Sequence, residues 1–330
     1  MIKKKGWLKI LCVLFALALL VVQVLGCAPK AKSVKQVTIG TAAVGGTYYV
    51  IGGVLADIIS RKGPEMEGSA VVTGGSVENL RLVDSGEADI GFTLILDTQK
   101  ALAGTEPFTS PVKVKAIATM YPNTWQVVVL KKSGIKTFED LKGKKVAVGP
   151  AGGGLETSFA AVTNIYGFKF REEPRDFTPV HLGGEEIMDA LADGRIDAGV
   201  VGGSVFNASL KAFATTHDIA IIPIDEHILD QLVERTKGAG IPFRVPPNTF
   251  PGVTEEVALA DWVVQLVVRE DADEKFVYNV VKTIFENRDT IAETHPAGEF
   301  ITLERAVEPK TIPFHEGAIR YYREVGVWKD

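Results

Sequence analysis

Residues 37–59 read VTIGTAAVGGTYYVIGGVLADII, and the rest of the chain is organised around this stretch. Val37, Ile39 and the small residues that follow have the pattern of a buried strand. Gly45-Gly46 lets the backbone turn tightly, and Ile51, Val54, Leu55, Ile58 and Ile59 then recur at helical spacing. A strand that turns on glycines into a helix N-terminus makes a cradle for negative charge. Free N–H groups and the positive end of the helix dipole point the same way there.

The cradle has an echo in the second half of the chain. Val146-Ala147-Val148 is another apolar strand, followed by Gly152-Gly153-Gly154 and a helical pattern in Phe159, Val162, Thr163 and Tyr166. At an offset of 108, Gly45 and Gly46 fall on Gly153 and Gly154. Gly74-Gly75-Ser76 corresponds to Gly183-Gly184-Glu185 at 109, and Gly86–Gly91 to Gly194–Gly199 at 108. Glycines required for positive φ or close approach rarely recur in register by accident. Two similarly built lobes with facing glycine loops are expected.

The chain has 330 residues, enough for two cores, with 46% hydrophobic and 23% charged residues. Residues 1–26 differ from the rest. Lys3, Lys4, Lys5 and Lys9 form a basic start, Ile10–Leu25 is nearly all apolar, and Gly26-Cys27 follows. This is the pattern of a secretory signal, set apart from fold reasoning; an uncleaved anchor helix is the alternative, for which the apolar run is short. Val24-Leu25-Gly26-Cys27 resembles a bacterial lipobox, which implies acylation of Cys27 as a membrane anchor, with residues 27–36 as a tether. The other cysteine, Cys12, lies inside the signal, so the mature chain has no thiol for a disulfide, a metal or nucleophilic chemistry. Removing four lysines leaves 36 − 4 = 32 basic against 41 acidic residues, a charge of −9. Such a chain, lacking a basic run, is a poor partner for nucleic acid.

Strands are expected at Ala70–Val72, Ile90–Leu94, Val114–Met120, Lys145–Val148, Ala198–Val201 and Ile219–Ile224. Helices are expected at Val77–Ser85 (with Ser76 as cap), Lys136–Leu141, Leu155–Tyr166, Glu185–Ala192 and Leu210–Thr215. The alternation implies an α/β fold with parallel, doubly wound sheets. Pro122-Asn123 breaks the pattern before Trp125–Leu130, which reads as a crossing between lobes; Leu259–Val268 is a second crossing. Prolines 242, 246, 247 and 251 suggest an ordered loop over Ile241–Gly252. Phe276, Val277, Val280, Val281, Ile284 and Phe285 form a helical stripe, and Ile319, Tyr322 and Val325 suggest a last helix. Two crossings make the first lobe from both ends of the chain: 37–125 plus 265–330, with 126–264 as the second lobe.

Gly40–Thr47 differs from a phosphate-binding P-loop because Gly46 stands where the lysine belongs, which argues against nucleotide hydrolysis. The loop then either holds a carboxylate or similar anion through its N–H groups or is a tight structural turn. The five histidines lack metal-ligand spacing and no GxSxG elbow is present, so no catalytic group and no cofactor is expected. Asp89 and Asp197 fit turn-capping roles. Asp97 follows the strand ending at Leu94 and either faces the cleft or caps a helix. Trp125 either stacks on a ligand or belongs to the core, and Tyr48 either walls the cradle or packs between helix and loop. The candidate contacts of the first lobe are Val44, Gly45, Gly46, Thr47 and Tyr48 at one turn, Gly75 and Ser76 at another, then Leu94, Asp97 and Trp125. Those of the second lobe are Gly153, Gly154, Leu155, Gly203 and Ser204.

Several segments together resemble one family. They are Gly45-Gly46-Thr47-Tyr48-Tyr49 with Ile51-Gly52-Gly53, Thr73-Gly74-Gly75-Ser76-Val77-Glu78-Asn79-Leu80, Gly86–Gly91, Leu191–Ala198 and Phe314–Tyr322. In this order they are similar to the TAXI-type solute receptors of TRAP transporters. The resemblance implies a two-lobed type II periplasmic-binding-protein fold, on the extracytoplasmic face of the membrane. It also implies a small anionic solute, an amino acid or dicarboxylate such as glutamate or 2-oxoglutarate, delivered to an ion-driven permease. A binding protein of an ABC importer and a tethered sensory receptor share the fold and the signal. The family's second-lobe loop resembles Gly-Ser-Gly-Thr, whereas this chain has Gly152-Gly153-Gly154-Leu155. Leu155 makes that wall more apolar, and a more hydrophobic carboxylate is expected.

Overall fold

The computed structural model describes residues 34–151, 153–170, 172–202 and 207–329. The signal, Cys27 and nearly all of the tether lie outside the described residues. Gln36–Asp330 forms one unit, which holds both sheets.

Eleven strands and eleven α-helices are described. They run β1 (Lys35–Gly40), α1 (Thr47–Lys62), β2 (Met66–Val71), α2 (Ser76–Ser85), β3 (Ile90–Leu94), α3 (Ile95–Ala103), β4 (Val114–Thr124) and β5 (Gln126–Leu130). β6 (Lys145–Ala147), α4 (Gly154–Ile165), β7 (Thr178–Val180), α5 (Glu185–Ala192), β8 (Ala198–Val201), α6 (Ala208–Thr216), β9 (Ile219–Ile222) and α7 (Glu226–Arg235) follow. The chain ends with β10 (Gly240–Val245), β11 (Val257–Arg269), α8 (Glu274–Glu286), α9 (Arg288–Thr294), α10 (Leu303–Ala306) and α11 (Glu316–Glu324).

One sheet runs β10-β11-β3-β1-β2 with β4 on β11, and the other runs β7-β6-β8-β5-β9. β1–β3, β6–β7 and β6–β8 are parallel, as the alternating pattern requires. The pairs made by β5, β10 and β11 are antiparallel, because these strands carry the chain between the sheets. The expected boundary at 264/265 falls inside β11. That strand and β10 are hydrogen-bonded into the first sheet, yet Val245, Val257 and Leu259 pack with Val128, Ala147 and Ile187 of the second.

Proline misled the local reading twice. β4 runs through Pro122-Asn123 to Thr124, because its other edge is bridged at Ala116, by Phe314, and it carries a bulge against β11: Thr119 faces Gln265 while Pro122 faces Val263. Pro242 lies in β10, the end of the sheet path. A proline without a ladder donor is tolerated at edges and bulges. The helix expected over Lys136–Leu141 shrinks to a 3-10 turn, Glu139–Leu141. α8 buries the stripe read for it, capped by Asp273 accepting from Phe276 N–H (2.7 Å). α11 buries Ala318, Tyr321 and Tyr322, with Val325 exposed just beyond its end.

Candidate functional site

The two glycine turns are copies of each other in space. Gly46 N–H donates to Ala43 O and Gly153 N–H to Pro150 O, both at 3.1 Å, and each glycine then caps a helix in extended backbone. Gly46 therefore matches Gly153, an offset of 107 that corrects the 108 expected for these turns. Thr47 pairs with Gly154 as first helical residue and Tyr48 with Leu155 as second. The strands obey the same rule: Asp89 Oδ2 accepts from Thr38 N–H (3.0 Å) and Asp197 Oδ2 from Lys145 N–H (2.8 Å). Both aspartates are turn clamps. The next pair of helices also starts on equivalent glycines, Gly75 (φ 97°) and Gly184 (φ 52°), a backbone that a side chain would strain.

A cavity of about 170 Å³ lies between the lobes, lined by Ala42, Gly46, Thr47, Tyr48, Gly75, Ser76, Leu94, Asn123, Gly154 and Leu155. Gly46, Gly75, Leu94 and Gly153 cap α1, α2, α3 and α4, and none of the four helices has a side-chain cap hydrogen bond. Asn207, Asp273, Thr302 and His315 cap α6, α8, α10 and α11 with their side chains, while α5, α7 and α9, away from this cavity, also lack such a cap. A helix N-terminus that keeps its N–H groups clear of capping side chains is open to an anion.

The surrounding hydrogen bonds hold these ends rigid. Asn79, fully buried, donates from Nδ2 to Thr41 O (2.7 Å) and Phe92 O (2.8 Å) and accepts from Thr73 Oγ1 (2.7 Å). It ties β1, β3 and the loop before α2 into one unit. Ser76 is the first residue of α2, not its cap. Its Oγ accepts from Leu94 N–H (3.2 Å), joining the starts of α2 and α3. Tyr48 stacks on Phe92 (5.1 Å between centroids) with its ring against the core. Burial pushes its phenol well above the ordinary value, with the Ser76 hydroxyl pulling the other way. Leu155 fills the space over Gly149 and Gly202, where added Cβ atoms would lie 2.9 and 3.0 Å from its side chain.

Asp97, in the first turn of α3, is fully buried, and neither carboxylate oxygen has a hydrogen-bond partner. It caps nothing. A Cβ on Gly154 would lie 3.0 Å from Asp97 Oδ2 and 3.2 Å from both Ser76 Oγ and Leu94 Cδ1, so the second lobe meets the first here across a bare glycine. Burial raises the Asp97 carboxyl to about 6, against the pull of the Lys100 charge and the Ser76 hydroxyl.

Of the expected contacts, Gly46, Thr47, Tyr48, Gly75, Ser76, Leu94, Gly154 and Leu155 line one cavity, and Asp97 stands against its wall. Gly45 and Gly153 lie in the turns beside it. Val44 points outward, 71% exposed. Trp125 is buried in the crossing, stacked on Trp262 (6.5 Å) and edge-on to Phe159 (5.6 Å), and does not line the cavity. Gly203 and Ser204 lie outside the described residues. Sequence reasoning missed Ala42 and Asn123. Asn123 N–H is held by Asp261 Oδ1 (2.9 Å), whose other oxygen accepts from Arg305 (3.0 Å). A larger cavity of about 340 Å³, lined by Lys100, Glu106, Glu156, Thr157, Arg175 and His181 among others, also lies between the lobes. The first turn of α4 reaches it through Glu156 and Thr157. Among the described residues no cluster of side chains is arranged to hold a metal ion, and no helix is long and apolar enough to cross a membrane.

The fold is that of the type II periplasmic binding proteins. The periplasmic aliphatic sulphonate binding protein SsuA of Escherichia coli superposes with a TM-score of 0.52 at 19% identity, over 88% of this chain and 83% of that one. XAC2383 of Xanthomonas citri, bound to chloride ion, gives 0.51 at 11%, over 88% and 95%. A putative L-cystine ABC transporter protein of Listeria monocytogenes gives 0.50 at 14%, over 82% and 99%. In sequence, residues 39–326 match the NMT1-like family. With nearly the whole described chain inside that match, the protein belongs to the NMT1-like family.

Proposed function

We propose that this protein is an extracytoplasmic receptor that captures a small anionic solute, a carboxylate or amino acid, between its lobes and delivers it to a TRAP-type, ion-driven permease. The observation that carries this reading is the convergence of four helix starts without side-chain caps on one interlobe cavity. Charge–dipole contacts of this kind contribute about 0.3–1 kcal/mol each when exposed and up to about 2 when partly buried, so several must act together. α1, α2 and α3 belong to one lobe and α4 to the other. A solute touching both holds the lobes closed by its differential affinity for that state. Leu155, Leu94 and Tyr48 favour an apolar body behind the anionic group. The lipobox-like run ending at Cys27 supports tethering at the outer face of the membrane.

The ordered motifs from Gly45 to Tyr322 support a TRAP partner, and the fold shared with proteins of ABC systems supports the second reading, delivery to an ATP-driven importer. Calorimetry of the full chain against carboxylates and amino acids tests the site: binding of none overturns the reading. Uptake in vesicles carrying the cognate permease then separates the two partners. A TRAP permease transports on an ion gradient without ATP; transport only with ATP overturns that assignment.

A further inference from the structure

We infer that Asp97 makes the cavity selective for a solute carrying a protonated amine beside its anionic group, so that the site takes zwitterions and rejects the matching amine-free acids. The inference rests on the proposed solute site and concerns which solute fills it.

The helix starts around the cavity offer donors only, and by themselves they would accept any anion, a second carboxylate included. Asp97 is the exception. It is fully buried, both its oxygens lack a hydrogen-bond partner, and its Oδ2 lies behind Gly154 of the cavity wall, 3.0 Å from where a Cβ would stand. A buried carboxylate is normally paired, because leaving it without a partner carries a desolvation penalty of several kcal/mol. Its position in the first turn of a helix does not provide one, since no N–H reaches it. The groups facing it are Tyr48 from α1, Ser76 from α2 and Lys100 from its own helix. Ser76, Tyr48 and Lys100 each carry a donor, yet none makes a hydrogen bond to either Asp97 oxygen. A Cβ on Gly154 would lie only 3.0 Å from Oδ2, so the bare glycine is what lets the cavity wall come this close to the carboxylate. An ammonium group that reaches this carboxylate from the cavity gains a charge-assisted hydrogen bond, while a carboxylate or keto oxygen meets an acceptor with nothing to donate.

The test is calorimetry on the full chain with two pairs of solutes that differ only in amine against keto group: L-glutamate with 2-oxoglutarate, and L-leucine with 4-methyl-2-oxopentanoate. The amino member of at least one pair is expected to bind at least about tenfold tighter, the size of one charge-assisted hydrogen bond. Asp97→Asn is expected to abolish that ratio, whereas Ser76→Ala lowers both members alike. Equal or tighter binding of the keto acids by the wild-type protein overturns the inference while leaving the solute site standing, and so does a ratio unchanged in Asp97→Asn. Binding of none of the four removes the solute site and the inference together. The wild-type ranking decides the matter even if Asp97→Asn does not fold.

Discussion

Asp97→Asn replaces a carboxylate that has no partner by a neutral group of the same shape, and it should stabilise the ligand-free protein in a pH-dependent way. Burial lifts the Asp97 carboxyl from 3.8 to about 6. At about 1.4 kcal/mol per pH unit, that rise corresponds to roughly 3 kcal/mol. The folded pKa is raised, so the favourable contribution is complete below pH 3.8 and is lost as pH climbs through about 6. At pH 7 the wild-type fold therefore carries the whole cost, and the asparagine variant carries none of it. Thermal melting in the absence of solute should place the variant about 6 °C higher at pH 7, at roughly 2 °C per kcal/mol for a chain of this size. The gap should close toward pH 4, where wild-type Asp97 is protonated and resembles asparagine. Asp261 is also raised by burial, against the charge of Arg305. It is present in both proteins and cancels in the difference. A gap of constant size from pH 4 to pH 7, or a variant less stable at pH 7, would refute the reasoning.

Gly154→Val should weaken solute binding by more than about tenfold, a loss of at least 1.4 kcal/mol. Its added atoms crowd Asp97 Oδ2, 3.0 Å from an added Cβ, and Ser76 Oγ and Leu94 Cδ1, both at 3.2 Å, where the second lobe meets the first; unchanged affinity in calorimetry would refute this. Gly46→Val should also weaken binding, because its Cβ lies 3.2 Å from Ala43 O within the turn that aims α1 at the cavity; unchanged affinity would remove this turn from the site. Leu155→Thr should shift a thermal-shift ranking toward more polar solutes, and a ranking that does not move refutes the apolar-wall reading. Cys27→Ser should release the protein from the membrane fraction, as fractionation and immunoblotting would show; retention would overturn lipid attachment.

What the sequence made legible was backbone logic. The strand, glycine turn and helix at Val37–Ile59 and its copy near Gly153 are local patterns with a physical cause, and both formed where expected. The register of the copy slipped by one residue because three consecutive glycines, 152 to 154, offer no side chain to mark which one caps the helix. Pro122 and Pro242 misled for the opposite reason. A proline excludes a strand only where its missing N–H is needed, and edge position is a property of the assembled sheet. Asp97 stayed ambiguous because burial without a partner is decided by α2 and α4, which reach it from distant parts of the chain. Trp125 was legible as part of a crossing, but its packing depends on Trp262, 137 residues away. Asn123 carried no signal at all, since Asp261 and Arg305 position it from the other end of the chain.

The unequal contribution of the lobes sets the order of events. The first lobe supplies three of the helix starts, α1, α2 and α3, and the second supplies only α4. At about 1 kcal/mol each, three contacts hold an anion weakly, far from the roughly −8 kcal/mol of a micromolar complex. An open first lobe is thus a shallow trap from which solute escapes easily. Closing adds the fourth helix start and brings Leu155 onto the solute, where each 100 Å² of apolar surface removed from water is worth about 2.5 kcal/mol. Asp97 is already buried where the lobes meet, and a solute that brings a donor to it offsets that cost of roughly 3 kcal/mol. A solute without a donor leaves that cost standing. The glycine turns attract any small anion; the carboxylate behind Gly154 decides which anion is worth closing on.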